Sequence, residues 1–134
     1  MNATQESLES IRQSLLALHK TIIEAERVTY EQTVGKIESP YAFLRLLNSD
    51  PWFAWLQPFS QLIVSIDEAM DAKQPVTETG VTAFKKAIAD LLNASETGEG
   101  FSRHYYEAMQ RDPDVLWAHA EVMKMVRARP ELGL

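Results

Sequence analysis

The strongest constraint on the fold is a cluster of large aromatic side chains in residues 50–59. Two of the chain's three Trp and two of its five Phe residues lie here: Trp52, Phe53, Trp55 and Phe59. Such rings bury about 150–250 Å² each, so together their burial is worth on the order of 20 kcal/mol at about 25 cal/mol/Å². If they were left uncovered, their exposed apolar area would be larger than the patch of roughly 300–600 Å² that a monomer usually exposes. They must therefore form a core that the rest of the chain covers, or an interface.

Apolar residues recur at helical spacing along almost the whole chain, whereas the alternation typical of strands is nearly absent. The first predicted helix spans residues 4–33. Its apolar stripe consists of Leu8, Ile11, Leu15, Leu18, Ile22 and Ala25. Steps of three and four residues place such side chains on one face of a bundle helix. With 134 residues and 46% hydrophobic content, the sequence predicts a single-domain, all-α bundle of five or six mainly antiparallel helices.

Capping residues, often followed by proline, predict the later helix starts. These starts are Ser39-Pro40, Asp50-Pro51, Thr77 or Thr79, and Asp112-Pro113, with a further short helix beginning near Phe101. The third helix, which carries the aromatic cluster, should be central and extend to about residue 72. Pro58 lies inside it, where proline removes a backbone donor and crowds the carbonyl group four residues earlier, so we expect a kink or a break there. Residues 129–134 should fray.

Charge and composition argue against several classes of function. A net charge of −6 and a pI near 5.0 oppose nucleic-acid binding, which depends on clustered Lys and Arg, and also disfavour a membrane surface. The chain has no Cys, which removes disulfides, zinc–thiolate sites and iron–sulfur clusters. We expect no cofactor. Without a signal-peptide pattern or an apolar run of about 18 residues, the expected location is cytoplasmic.

Three polar side chains fall inside the apolar arc of the first helix: His19, Glu26 and Tyr30. Burying an unpaired carboxylate is costly, so Glu26 must find a donor, take up a proton or lie where the bundle opens to water. One interpretation is a hydrogen-bonded core network in which Arg45 or His104 contacts Glu26. The others are a functional pocket and a solvated end of the bundle.

Asp67 and His119 are similar anomalies in the third and the last helix. Asp67 lies beside Ile63 and Val64 and should pair with an Arg, Tyr or His of the first helix. His119 follows Val115 on the inward face of its helix. If these two side chains converge with the polar residues of the first helix, the bundle contains a polar cavity whose groups titrate near neutrality.

Patterns that would indicate catalysis or metal binding are absent from the sequence. His19 and Glu26 are seven positions apart, about 10.5 Å along a helix at ~1.5 Å per residue, too far to share a metal ion. The nearest match to the metal motifs of helical bundles is a reversed pair, His104 and Glu107. No Ser occupies a Gly-x-Ser-x-Gly turn, and no phosphate-binding glycine loop is present. We predict no metal site and no catalytic residue.

Trp117 is the candidate interface residue. It lies on the side of the last helix opposite Val115 and Val122, together with Glu121 and Lys124. An outward-facing Trp is either tucked under a neighbouring segment or part of a subunit or partner interface, where Trp is enriched.

Several short motifs occur together in the first half of the chain. They are Leu18-His19-Lys20, Glu26-Arg27, Tyr30-Glu31, the run Asp-Pro-Trp-Phe-Ala-Trp-Leu at 50–56, Leu62-Ile63-Val64 and Ile66-Asp67-Glu68. With these motifs the chain resembles a family of small bacterial all-helical proteins of uncharacterised function. The resemblance implies no activity. It does imply contact between the first helix and the aromatic helix.

Two classes of function follow from these observations. The favoured prediction is a non-enzymatic interaction or oligomerisation module that forms a homodimer or binds a protein partner, because catalytic motifs are lacking and Trp117 faces outward. The alternative is a small-molecule-binding protein or enzyme with a polar pocket between helices around Glu26 and His19.

Overall fold

Six α-helices and one 3-10 helix form the part of the chain that the computed structural model describes, residues 2–128. They are α1 (Ala3–Thr33), α2 (Pro40–Ser49), the 3-10 helix (Pro51–Leu56), α3 (Gln57–Asp71), α4 (Glu78–Leu91), α5 (Phe101–Arg111) and α6 (Pro113–Arg127). No strand occurs within those residues, so the predicted all-α bundle is confirmed. The predicted fraying concerns residues 129–134, which lie outside the described part of the chain.

The helices begin where side chains can accept the free amide groups of the first turn. The capping residues are Asn2, Ser39, Asp50, Thr77 and Asp112. Each accepts a hydrogen bond from an N–H two or three positions later, which satisfies a donor that the helix itself leaves unpaired. Of the two predicted caps of α4, Thr77 is the one used.

The core is built around α1, which packs against α3, α4, α5 and α6. Its buried apolar side chains are Leu8, Ile11, Leu15, Leu18 and Ile22. From the aromatic cluster, Phe53 and Phe59 are fully buried, and Trp52 and Trp55 are partly buried against the same core. The cluster is therefore covered by the chain itself and serves as core rather than as an open patch.

The aromatic segment is divided into two helices of different type. Residues 51–56 form the 3-10 helix, and α3 begins at Gln57 with Pro58 as its second residue. The first four N–H groups of an α-helix have no partner within that helix, so proline at this position sacrifices no α-helical hydrogen bond. The structure thus places the change of helix type just before Pro58, the outcome nearer to the predicted break.

None of the described helices has the combination of length and apolarity that crossing a bilayer requires.

Candidate functional site

Glu26, 5% exposed, is the only buried charged residue among residues 2–128, and both of its carboxylate oxygens are paired. Trp52 Nε1 donates to Oε2 at 3.1 Å, and Arg111 Nη2 donates to Oε1 at 2.5 Å. Tyr30 packs edge-on against the Trp52 ring, with centroids 5.5 Å apart. These contacts join α1, the 3-10 helix and α5 in one core network. Glu26 and Tyr30 are therefore part of a structural core network and do not line a common pocket.

The expected partners of Glu26 were wrong. Arg45 lies over the ring of Tyr41, 5.6 Å from its centroid, and His104 stacks on Trp55 with centroids 5.4 Å apart. Both side chains are on exposed positions of α2 and α5. The donor is instead Arg111, in the last turn of α5. Its long side chain reaches the buried carboxylate while about half of the side chain stays in solvent.

Asp67 pairs with α1, as predicted. Arg12 Nε donates to Asp67 Oδ1 at 2.5 Å, and this hydrogen bond raises the pKa of the Arg12 guanidinium. Both side chains remain partly exposed, so the pair is a surface link between α1 and α3.

His119 forms a hydrogen bond with a buried tyrosine of α5. Tyr105 Oη lies 2.6 Å from His119 Nδ1, and Tyr105 is fully buried. Burial raises the pKa of the Tyr105 hydroxyl, and burial, followed by the charge of Arg127, lowers the pKa of His119. The phenol therefore keeps its proton and donates, while the neutral imidazole accepts at Nδ1.

His19 lines a small cavity, while Tyr30 and His119 each line a separate, more open depression. His19 Nε2 lies 3.0 Å from Ser60 Oγ, the His19 ring packs on Phe59 with centroids 5.2 Å apart, and burial lowers its pKa. The cavity has a volume of about 200 Å³ and lies between α1, α2 and the start of α3, with Asn48 and Gln57 also on its wall.

The five predicted pocket residues thus do not meet at one site. Glu26 and Tyr30 share Trp52 as a neighbour, whereas His19, Asp67 and His119 each contact other residues. No two of the five line the same cavity. Within residues 2–128 there is also no group of three or more His, Asp or Glu side chains arranged to hold a metal ion. The polar residues of the helix faces are distributed as separate pairs along the bundle.

Three partners of the candidate residues were not found from the sequence: Arg111, Ser60 and Tyr105. Arg111 follows buried Ala108 by three positions, a spacing that places both on neighbouring positions of one helix surface. This spacing is the sequence feature that could have placed Arg111 next to the core. Tyr105 follows Phe101 by four positions and precedes Ala108 by three, a spacing that predicts an inward-facing side chain, and a buried tyrosine hydroxyl group needs a partner. No sequence pattern distinguished Ser60 from the other serines.

Trp117 is 72% exposed, the largest exposed fraction among the exposed large apolar residues of the described chain. It lines an open groove of about 810 Å³ between α1 and α6, which we call the α1–α6 groove. Its α1 wall contains Ser14, Ala17, Thr21, Ala25 and Val28, and its α6 wall contains Asp114, Trp117, Ala118 and Glu121. None of the segments within residues 2–128 covers the indole, which excludes the tucked arrangement for that part of the chain.

Comparisons of the chain with protein-family models, with curated proteins and with solved structures gave no match. The resemblance to small bacterial helical proteins therefore stays a prediction.

Proposed function

We propose that the protein is a non-enzymatic interaction module that binds a helix of a partner protein in the α1–α6 groove. The observation that carries the proposal is the exposed indole of Trp117 on the groove wall. Trp is the residue type most enriched among interface side chains that dominate binding energy, and exposing one to water is otherwise unfavourable.

The shape of the α1–α6 groove supports a helical occupant. Two helices form its walls, and small side chains such as Ala17, Ala25 and Ala118 leave space for a third helix to approach. From Ser14 to Val28 the α1 wall is about 21 Å long at ~1.5 Å per residue, which matches a partner helix of about four turns. An amphipathic helix laid in an apolar groove is a recurring mode of peptide recognition.

The charges around the α1–α6 groove specify the partner's chemistry. Glu24, Asp112, Asp114 and Glu121 line it, against a single cation, Lys20. Glu24 is already paired with Arg27, but the three carboxylates on the α6 side form no ion pair within residues 2–128. A helix with Lys or Arg beside an apolar stripe complements this surface. A second copy docked groove to groove would instead oppose like charges, so we propose a basic partner helix rather than a homodimer.

The proposal is tested with a labelled synthetic helix of leucine and lysine in an amphipathic pattern, and with its leucine–glutamate counterpart, by fluorescence anisotropy. The lysine peptide should bind, and the glutamate peptide should not. Trp117→Ala should weaken binding of the lysine peptide by at least about tenfold, since interface Trp truncations often cost 2 kcal/mol or more. Glu121→Lys should also weaken binding of the lysine peptide, and by a larger factor at low salt than at high salt, because salt screens the interaction between charges.

Tyr41→Ala is the matched control, because Tyr41 on α2 is 70% exposed but lies outside the α1–α6 groove. It should leave the affinity unchanged. Equal effects of the two aromatic substitutions would contradict the proposal, as would equal binding of the two peptides. If light scattering instead shows a dimer that Trp117→Ala dissociates, the occupant is a second copy, and the basic-helix proposal is wrong.

A further inference from the structure

We propose that the cavity at His19 and Ser60 is a second binding site, which takes a small uncharged molecule with one hydrogen-bonding end and a flat apolar body. This cavity shares no lining residue with the α1–α6 groove. The inference therefore stands or falls independently of the partner helix.

The wall of the cavity has two chemically different parts. The polar groups come from His19, Asn48, Gln57 and Ser60. The apolar part comes from Ile23 of α1, two leucines of α2 and two side chains of the 3-10 helix. Ligand sites in proteins combine an apolar lining with a few placed polar groups in the same way. At about 200 Å³ the cavity is smaller than the roughly 300–1,000 Å³ of drug-sized sites, which limits the ligand to about one ring with a short substituent.

The charge state of the wall argues for an uncharged ligand. No Asp, Glu, Lys or Arg lines the cavity. The one titratable wall residue, His19, has its pKa lowered by burial, so its imidazole is neutral at pH 7 and above. A charged ligand would lose water here without meeting a counter-charge, which is costly. The side-chain amides of Asn48 and Gln57 and the hydroxyl group of Ser60 can each donate and accept hydrogen bonds, so they can bind the uncharged polar end of a ligand.

Helix α2 has the properties expected of a cover over an unfilled site. It is an apolar-rich helix without a single fully buried residue, and it packs chiefly against the 3-10 helix. Leu44, on the cavity wall, is 54% exposed. A ligand with an apolar body would fill the space beneath α2 and remove Leu44 and Leu47 from water.

The His19–Ser60 pair resembles the start of a nucleophilic dyad, but the remaining parts are missing. An activated serine needs a base that is itself oriented by a third group. Within residues 2–128, the only hydrogen bond of the His19 side chain is the one to Ser60, and Asp67 is engaged by Arg12. The geometry therefore supports binding rather than acyl transfer.

Three isosteric probes test the proposal: benzamide, which is neutral, benzoate, which is an anion, and benzamidine, which is a cation. Their binding to the full chain is followed by amide and imidazole NMR shifts. Benzamide should shift resonances of α2, His19 and Ser60 with a Kd in about the millimolar range, typical of so small a ligand. Both charged probes should bind at least about tenfold more weakly.

Ser60→Ala should weaken benzamide binding about fivefold through loss of a hydrogen-bonding group, while Ser65→Ala, on the exposed part of α3, should not change it. Leu47→Trp, which fills the cavity, should abolish binding and serves if Ser60→Ala does not fold. Absence of benzamide shifts at the cavity, equal binding of all three probes, or binding that survives Leu47→Trp would each overturn the inference. None of these results bears on the lysine peptide at the α1–α6 groove.

Discussion

Arg111 and Glu26, 85 positions apart in the chain, form an ion pair in which Arg111 Nη2 donates to Glu26 Oε1 at 2.5 Å. The two side chains are unequally exposed, 45% for Arg111 and 6% for Glu26. Loss of the guanidinium strands a buried carboxylate, whereas loss of the carboxylate charge leaves a guanidinium that can turn into water. The two ends of this pair should therefore differ in their sensitivity to mutation.

Arg111→Met should lower the free energy of unfolding by about 2–3 kcal/mol, less than for a fully buried pair because Arg111 is half exposed. Glu26→Gln, which keeps the shape and an acceptor for Trp52, should cost only about 1 kcal/mol. Urea unfolding of both variants and of the double mutant gives the interaction free energy between the two side chains. A larger loss for Glu26→Gln than for Arg111→Met would show that the carboxylate is not the stranded group.

Tyr105→Phe should destabilise the protein by about 1–2 kcal/mol, because His119 Nδ1 loses its donor inside the bundle. Tyr106→Phe is the neighbouring control, since the Tyr106 hydroxyl makes no hydrogen bond within residues 2–128. It should change the free energy of unfolding by less than about 0.5 kcal/mol. Imidazole nitrogen shifts in NMR should also show that the His119 tautomer becomes mixed in Tyr105→Phe but not in Tyr106→Phe.

Stability should fall as the solution is acidified below the ordinary histidine pKa of 6.5. Burial lowers the pKa of His19 and of His119 in the folded state, so below 6.5 the unfolded chain binds protons that the folded chain does not. The stabilisation from neutral histidine is complete above 6.5 and is lost as the pH falls toward the folded-state values. Thermal unfolding between about pH 7.5 and 5 measures this loss.

His119→Gln, which keeps an acceptor for Tyr105, should flatten part of that pH dependence. Direct titration of the ring protons by NMR assigns the remainder to His19. A folded-state pKa at or above 6.5 for both rings would contradict the expected direction.

Pro58→Ala should lower the free energy of unfolding by less than about 1 kcal/mol. Proline at the second position of α3 costs no helical hydrogen bond, so the main effect is a freer unfolded chain. Pro75→Ala, in the α3–α4 linker, should have a similar effect for the same reason. A gain of 2 kcal/mol or more for Pro58→Ala, about what relief of an interior proline would give, would show that Pro58 strains a continuous helix.

Helix identity and most helix ends were predictable because they depend on neighbours in the sequence. Ser39, Asp50, Thr77 and Asp112 cap amides only two or three positions away, so the chain specifies these starts locally. The pairing of Asp67 with α1 was also predictable, because a carboxylate beside an apolar stripe must meet a donor from the helix packed against that stripe.

The partner of Glu26 was not predictable in this way. The need for a donor follows from the apolar neighbours of Glu26 in α1, but which cation reaches it depends on where α5 ends in space. Two candidates, Arg45 and His104, were as plausible by sequence as Arg111, yet they face solvent on α2 and α5. Similarly, the outward phase of Trp117 is visible in the sequence, whereas its open position beside α1 is not.

Local sequence patterns are enough to specify the helical class, the capped helix starts, the inward stripe of α1 and the need to cover the aromatic cluster. Periodicity and capping act within a few residues, so they are written along the chain. The helix packing decides that Glu26, Asp67, His19 and His119 form separate pairs, that a small cavity lies beside His19, and that a groove lies between α1 and α6. Those outcomes depend on how the helices pack against one another, which joins residues such as Glu26 and Arg111 across 85 positions.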